Sequence, residues 1–200
     1  VNPENDWVDH FTVEELKKMW EPGAQEKITK WSQLRSEWPD EEIDLYGPGI
    51  ASGTYDYFTK AVVGESGSSR GDFMASEDDN VLVHGVAGYK YALGFFGLAY
   101  FEENSDKLKL IGIDDGNGTA VKPNLETVAN NTYKPLSRPL FIYVNDNAKE
   151  SKTIRNFVRF YLKNAASLVK DVGYVPLPDE KYKEELVEFE QFVSDSTSIK

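Results

Sequence analysis

The sequence predicts an α/β protein with a mostly parallel sheet. Short apolar runs at Ile43 to Tyr46, Leu108 to Ile113 and Leu136 to Val144 alternate with stretches whose apolar residues recur every three or four positions. Glycine and proline mark the changes of period. With 40% hydrophobic and 13% aromatic residues in 200, the chain can bury a core large enough for one large domain or two small lobes.

Each element has a local cause. Thr12-Val13-Glu14-Glu15 is a capping box, the Thr hydroxyl and the Glu carboxylate each accepting an orphan amide proton, and it opens a helix through Leu16 and Trp20. Glu21-Pro22-Gly23 stops that helix. A second short helix is expected around Trp31 to Leu34, then a strand at Ile43 to Tyr46 that ends at Gly47-Pro48-Gly49. Ser52 precedes Tyr55, Phe58 and Val62, a helical stripe for which it is the N-cap. Gly64 to Gly71, with three Ser and three Gly, is a loop. Ser76 followed by Asp79 caps a helix through Val81, Leu82 and Val86. Ala92 to Tyr100 is a buried strand or the start of a helix, Leu108 to Ile113 a strand, and Asn117-Gly118 a turn. The continuous apolar run Leu140 to Val144 fits a central parallel strand. Ile154, Phe157, Val158, Tyr161 and Leu162 form a helical stripe after Ser151; Tyr182, Leu186, Phe189 and Val193 form another after Pro178. Residues 194–200 read as a frayed tail.

The charge balance narrows the function. With 34 acidic against 22 basic residues, a net charge of -12, the surface suits neither nucleic acid nor an anionic membrane, so any anion it holds must be caught by a local device. Cysteine is absent, which excludes disulfides and thiol catalysis. No nucleotide phosphate loop, Gly-x-Ser-x-Gly elbow or His-Glu-x-x-His motif occurs. His10 and His84 are isolated, and no spacing singles out a carboxylate pair. No enzyme, cofactor or metal is expected. Trp7, Trp20, Trp31 and Trp38 are assigned to packing.

Ser52-Gly53-Thr54 stands at a strand-to-helix junction, where free helix amides, two hydroxyls and a glycine permitting close approach make a cradle for an oxyanion. On spacing alone an ordinary Ser N-cap is the better account of the tripeptide. Arg70, in the polar loop Ser66 to Asp72, is the candidate guanidinium, with Asp72 to orient it; a surface ion pair is its other reading.

Several segments in order resemble one family, the phosphate-binding subunit of the bacterial phosphate ABC transporter. They are Val1 to Asn5, Thr12 to Trp20, Ile28 to Trp31, Tyr46 to Gly49 with Ser52-Gly53-Thr54, Ser76 to Asn80, Ala92 to Phe96 with Ala99-Tyr100, and Pro135 to Val144. The resemblance implies a two-lobed type II periplasmic-binding-protein fold. It implies inorganic phosphate held between the lobes by neutral dipoles and an arginine, with Ser52, Gly53, Thr54 and Arg70 as binding residues. Residues 1–132 would be the second lobe and residues 133–200 the returning strand and closing helices of the first.

The family's partner is a membrane permease, its location periplasmic or extracellular with or without a membrane anchor, and its complete form a monomer. The opening section of the first lobe, with two further anion-binding turns and a carboxylate, would precede Val1, so this chain alone is expected to bind phosphate feebly and to expose Phe157, Tyr161, Leu186 and Phe189. The chain departs from the family where many members carry an arginine or aspartate just before Ser-Gly-Thr; here Pro48, Gly49, Ile50 and Ala51 stand there. That departure leaves open another oxyanion, or a surface interaction protein without the ligand.

Overall fold

The computed structural model describes residues 1–195 and divides into two compact units, Val1–Arg138 and Pro139–Lys200. In the first unit, β1 (His10–Thr12) leads directly into α1 (Val13–Trp20). The capping box at Thr12 forms as its sequence requires: Thr12 Oγ1 accepts from the Glu15 amide, and the Glu15 carboxylate accepts from the Thr12 amide. The expected second short helix is a 3-10 turn, Trp31–Gln33. The elements β2 (Asp44–Pro48), α2 (Gly53–Val62), β3 (Met74–Ser76), α3 (Asp79–Gly88), β4 (Ala92–Gly94) and α4 (Leu98–Glu103) then alternate. β5 (Gly112–Asp114) and α5 (Leu125–Ala129) complete the unit.

The three inner strands form a parallel sheet in the order β3–β2–β4, with Tyr46 opposite both Met74 and Gly94. β1 and β5 pair in parallel as a second, two-stranded sheet, Phe11 opposite Ile113. β1 is a three-residue strand, too short to show a period, and sequence reading missed it. β5 starts later than the expected Leu108–Ile113 strand because pairing, not apolarity, sets its limits.

Alternation along the strands divides the core in two. Leu45 and Leu93 face a cluster with Trp20, Trp31, Phe11, Phe58 and Val62, whereas Tyr46 and Ala92 face Leu82, Val83 and Val86 of α3. All four tryptophans belong to the first cluster, where Trp20 meets Phe58, Phe73 and Phe95 edge-on at centroid separations of 5.5, 5.3 and 5.0 Å. Such contacts add about 0.5–1.5 kcal/mol each beyond the burial of the rings. α3 reaches the other face because residue 85 is glycine: a Cβ there would lie 2.2 Å from the Tyr46 ring. α3 is capped by Asp78, whose carboxylate accepts from the Asn80 amide at 3.0 Å, and not by Ser76. The Ser76 hydroxyl instead accepts from the Asp78 amide in the preceding turn.

The second unit contains a 3-10 turn (Asp146–Lys149), α6 (Lys152–Asp171) and α7 (Asp179–Ser194). Ser151 caps α6 by accepting from the Ile154 amide. Arg159 grips Glu190 with two hydrogen bonds of 2.6 and 2.7 Å, joining the two helices. Val158, Ala165 and Phe189 are buried between them, while Phe157 is exposed and Tyr161 and Leu186 are half-buried. The central strand expected at Leu140–Val144 is not formed. A strand exists only where a neighbour supplies its ladder; among the described residues this unit has none, and Phe141 and Tyr143 are exposed. Of the expected frayed tail, residues 196–200 lie outside the described residues.

Candidate functional site

Because β2, β3 and β4 are parallel and each is followed by a helix, the starts of α2, α3 and α4 converge at one edge of the sheet. The carboxyl edge of such a sheet is where open α/β folds take their ligands. Each helix start offers amides without intrahelical acceptors and the positive end of a dipole. The three starts differ in what the sequence puts on them. α3 carries Glu77, Asp78 and Asp79, which answer its dipole internally. Burial raises the Asp79 carboxyl above its usual range, Asp78 and Glu77 add to the rise, and a hydrogen bond from Tyr100 opposes it. α4 is six residues long with no side-chain cap.

α2 begins on Ser52, Gly53 and Thr54. Strand β2 ends in a turn closed by the Ser52 amide on the Gly49 carbonyl at 3.0 Å, with Ile50 at its tip and 82% exposed. Ser52 takes the extended N-cap conformation, and its hydroxyl accepts from the Thr54 amide at 3.1 Å. The Asp56 amide bonds to the Ser52 carbonyl. The amides of Gly53 and Tyr55 are left to be met from outside the helix. Tyr55, Phe58 and Val62 bury the opposite face, so the first turn stands at the surface, with Gly53 and Thr54 exposed and Ser52 half-buried. Glu77 reaches back to the turn and accepts from the Ala51 amide at 3.2 Å.

Arg70 is turned into the protein, against the expectation that it binds the anion with Ser52, Gly53 and Thr54. The side chain is 3% exposed. Nε and Nη2 donate to Asp72 at 2.5 and 2.7 Å, and Nη1 donates to the carbonyls of Met19 and Ile28 at 3.1 and 2.7 Å. Four of the five N–H bonds of the guanidinium therefore have acceptors inside the unit. Asp72 orients Arg70 as expected from sequence, but the pair pins the 64–71 loop onto α1. The hydrogen bonds from Arg70 lower the Asp72 carboxyl to about 2, against the opposing effect of burial.

A different arginine lies at α2. Arg138 Nη2 donates to the Gly53 carbonyl at 3.0 Å, and its guanidinium carbon stands 4.8 Å from the centroid of the Tyr57 ring. Arg138 lies inside the family-like segment Pro135 to Val144; 85 residues separate it from Gly53, and no local pattern signals that pairing. Among the described residues no three His, Asp or Glu side chains gather as a metal cage. Among the same residues no helix is long and apolar enough to cross a membrane.

A family model described as a PBP superfamily domain matches residues 1–165. Protein SphX of Synechocystis is 54% identical over 182 residues, covering 90% of this chain and 54% of its own length. The phosphate-binding protein PstS of Staphylococcus aureus is 36% identical over 196 residues, covering 96% of this chain and 57% of its own. Among solved structures, one described as a possible phosphate binding protein from Planctomyces limnophilus superposes with a TM-score of 0.84 at 42% identity, covering 98% of this chain and 67% of that one. The chain thus spans about half the length of the curated relatives it matches.

Proposed function

Because this chain belongs to the PBP superfamily, we propose that it is part of an extracytoplasmic solute-binding protein that captures inorganic phosphate for an ABC transporter permease, and that Ser52, Gly53 and Thr54 hold the anion. One observation carries the reading. Of the three helix starts at the carboxyl edge of the sheet, only α2 is a helix of more than six residues whose first residues are hydroxyls and a glycine instead of carboxylates. Phosphate oxygens at that point would accept from the Gly53 and Tyr55 amides and from the Thr54 hydroxyl, with the dipole of a ten-residue helix behind them. Relatives named as phosphate-binding support the choice of anion. The role is binding and delivery, without chemistry on the ligand.

In this reading residues 1–132 belong to the second lobe of such a protein and residues 133–200 to the returning part of the first, residues 133–138 packing with the first compact unit, in a periplasmic or extracellular, monomeric whole. The remaining donors to the anion are assigned to the part of the relatives' length that this chain does not span. A buried oxyanion needs most of its acceptor positions met, since an unmet one costs several kcal/mol. The 200-residue chain by itself should therefore bind phosphate feebly. Calorimetric titration of the complete protein with phosphate, sulfate and a phosphate ester tests the reading. Phosphate should bind most tightly, and Ser52→Ala with Thr54→Val should weaken it at least tenfold. Equal affinity for all three anions, or full affinity in the double variant, would sink the assignment.

A further inference from the structure

We infer that Arg138 is a ligand-binding residue of this site and supplies the full positive charge that Arg70 cannot. The inference rests on the phosphate reading above and concerns which cation serves it. Donor accounting separates the two arginines. Arg70 has four N–H bonds answered inside the protein and is shut away from solvent. Arg138 is exposed, and among the described residues its guanidinium makes one hydrogen bond, from Nη2 to the Gly53 carbonyl. Four N–H bonds remain, enough for the two-pronged grip by which a guanidinium holds an oxyanion.

The guanidinium is also held against the first turns of α2. Tyr57, one helical turn beyond Gly53, lies under it at 4.8 Å, and the Tyr57 hydroxyl donates to the carbonyls of Pro135 and Ser137 at 2.7 and 3.2 Å. Ser137 is buried, and its hydroxyl bonds to the Tyr133 carbonyl at 2.7 Å and Asn131 Oδ1 at 2.9 Å. The backbone leading to Arg138 is therefore fixed against the first turns of α2. Glycine at position 53 lets the cation close on that turn: a Cβ there would stand 3.3 Å from Nη2, tighter than an ordinary contact. Asp56 in the first turn of α2 and Glu77, which accepts from the Ala51 amide, add negative charge to this turn, and Arg138 is the cation bonded to it. The other cation of α2, Lys60, bonds to Gly64 at the far end of the helix.

The complete protein and its Arg138→Gln and Arg138→Lys variants test this by phosphate titration at low and high salt, with thermal unfolding followed in parallel. Arg138→Gln should raise the phosphate Kd at least tenfold and flatten its salt dependence while the unfolding temperature barely moves. Arg138→Lys keeps the charge without the fork; it should lose three- to tenfold and retain the salt slope. If Arg138→Gln binds within twofold of the wild type with the same salt slope, Arg138 is only a structural clamp and the inference fails, while the phosphate reading stands through its Ser52 and Thr54 dependence. If the wild type does not bind phosphate, both fall. Should Arg138→Gln not fold, Arg138→Lys decides, unchanged affinity being the refuting result.

Discussion

Arg70→Met should destabilise the first unit strongly and leave phosphate affinity untouched. The substitution keeps the apolar stem but removes every donor. The Met19 and Ile28 carbonyls lose the Nη1 hydrogens they accept. A buried carbonyl left without a partner costs about 1–3 kcal/mol, the partly buried Ile28 carbonyl falling at the lower end. Asp72 loses both bonds to the guanidinium but still accepts from the Glu26 amide at 3.0 Å and has 27% of its side chain exposed, so water replaces much of what it loses. The sum is about 3–4 kcal/mol, within the range for breaking one partner from a buried ion pair. At a typical urea dependence of about 2 kcal/mol per molar, the midpoint falls by about 1.5–2 M. Tryptophan fluorescence reads this directly, because Trp7, Trp20, Trp31 and Trp38 all lie in the unit. A loss below about 1 kcal/mol would mean that the pair is an ordinary surface contact. A tenfold loss of phosphate affinity at low urea, where the variant is folded, would return Arg70 to the ligand.

Two further expectations follow from the same packing. Since Arg70 lowers the Asp72 carboxyl from 3.8 to about 2 in the fold, its contribution is fully present above about pH 4 and is lost as pH falls toward 2. Acid unfolding of the wild type should therefore converge on that of Asp72→Asn below pH 4, by about 1–2 kcal/mol after discounting for solvent screening; a pH-independent gap between the two would contradict the linkage. Gly85→Ala gains about 1 kcal/mol of helix propensity, yet its Cβ would stand 2.2 Å from the Tyr46 ring. Overpacking of about 1–3 kcal/mol should win, so the unfolding temperature falls; an unchanged or raised value would show that α3 can shift freely on the sheet.

What the sequence determined by itself is what neighbouring residues settle among themselves. The Thr12 capping box and the Ser52 and Ser151 caps each join a side chain to an amide two or three residues on, so the pattern and the bond occupy the same short stretch. Apolar spacing likewise fixed which faces of α1 and α2 turn inward, though of the α6 stripe only Val158 is buried while Ile154 and Phe157 are exposed, and the strand-helix alternation fixed the α/β class. Tertiary structure decided everything that depends on a distant acceptor. Arg70 found its carbonyls 42 and 51 residues upstream, and Arg138 found Gly53 at a separation of 85. The Arg70 guanidinium goes where carbonyls inside the fold need donors, the Arg138 guanidinium to a carbonyl at the surface of α2, and no local spacing says where either will be. The same holds for Leu140–Val144, whose residues read as a strand but whose ladder has to come from another segment.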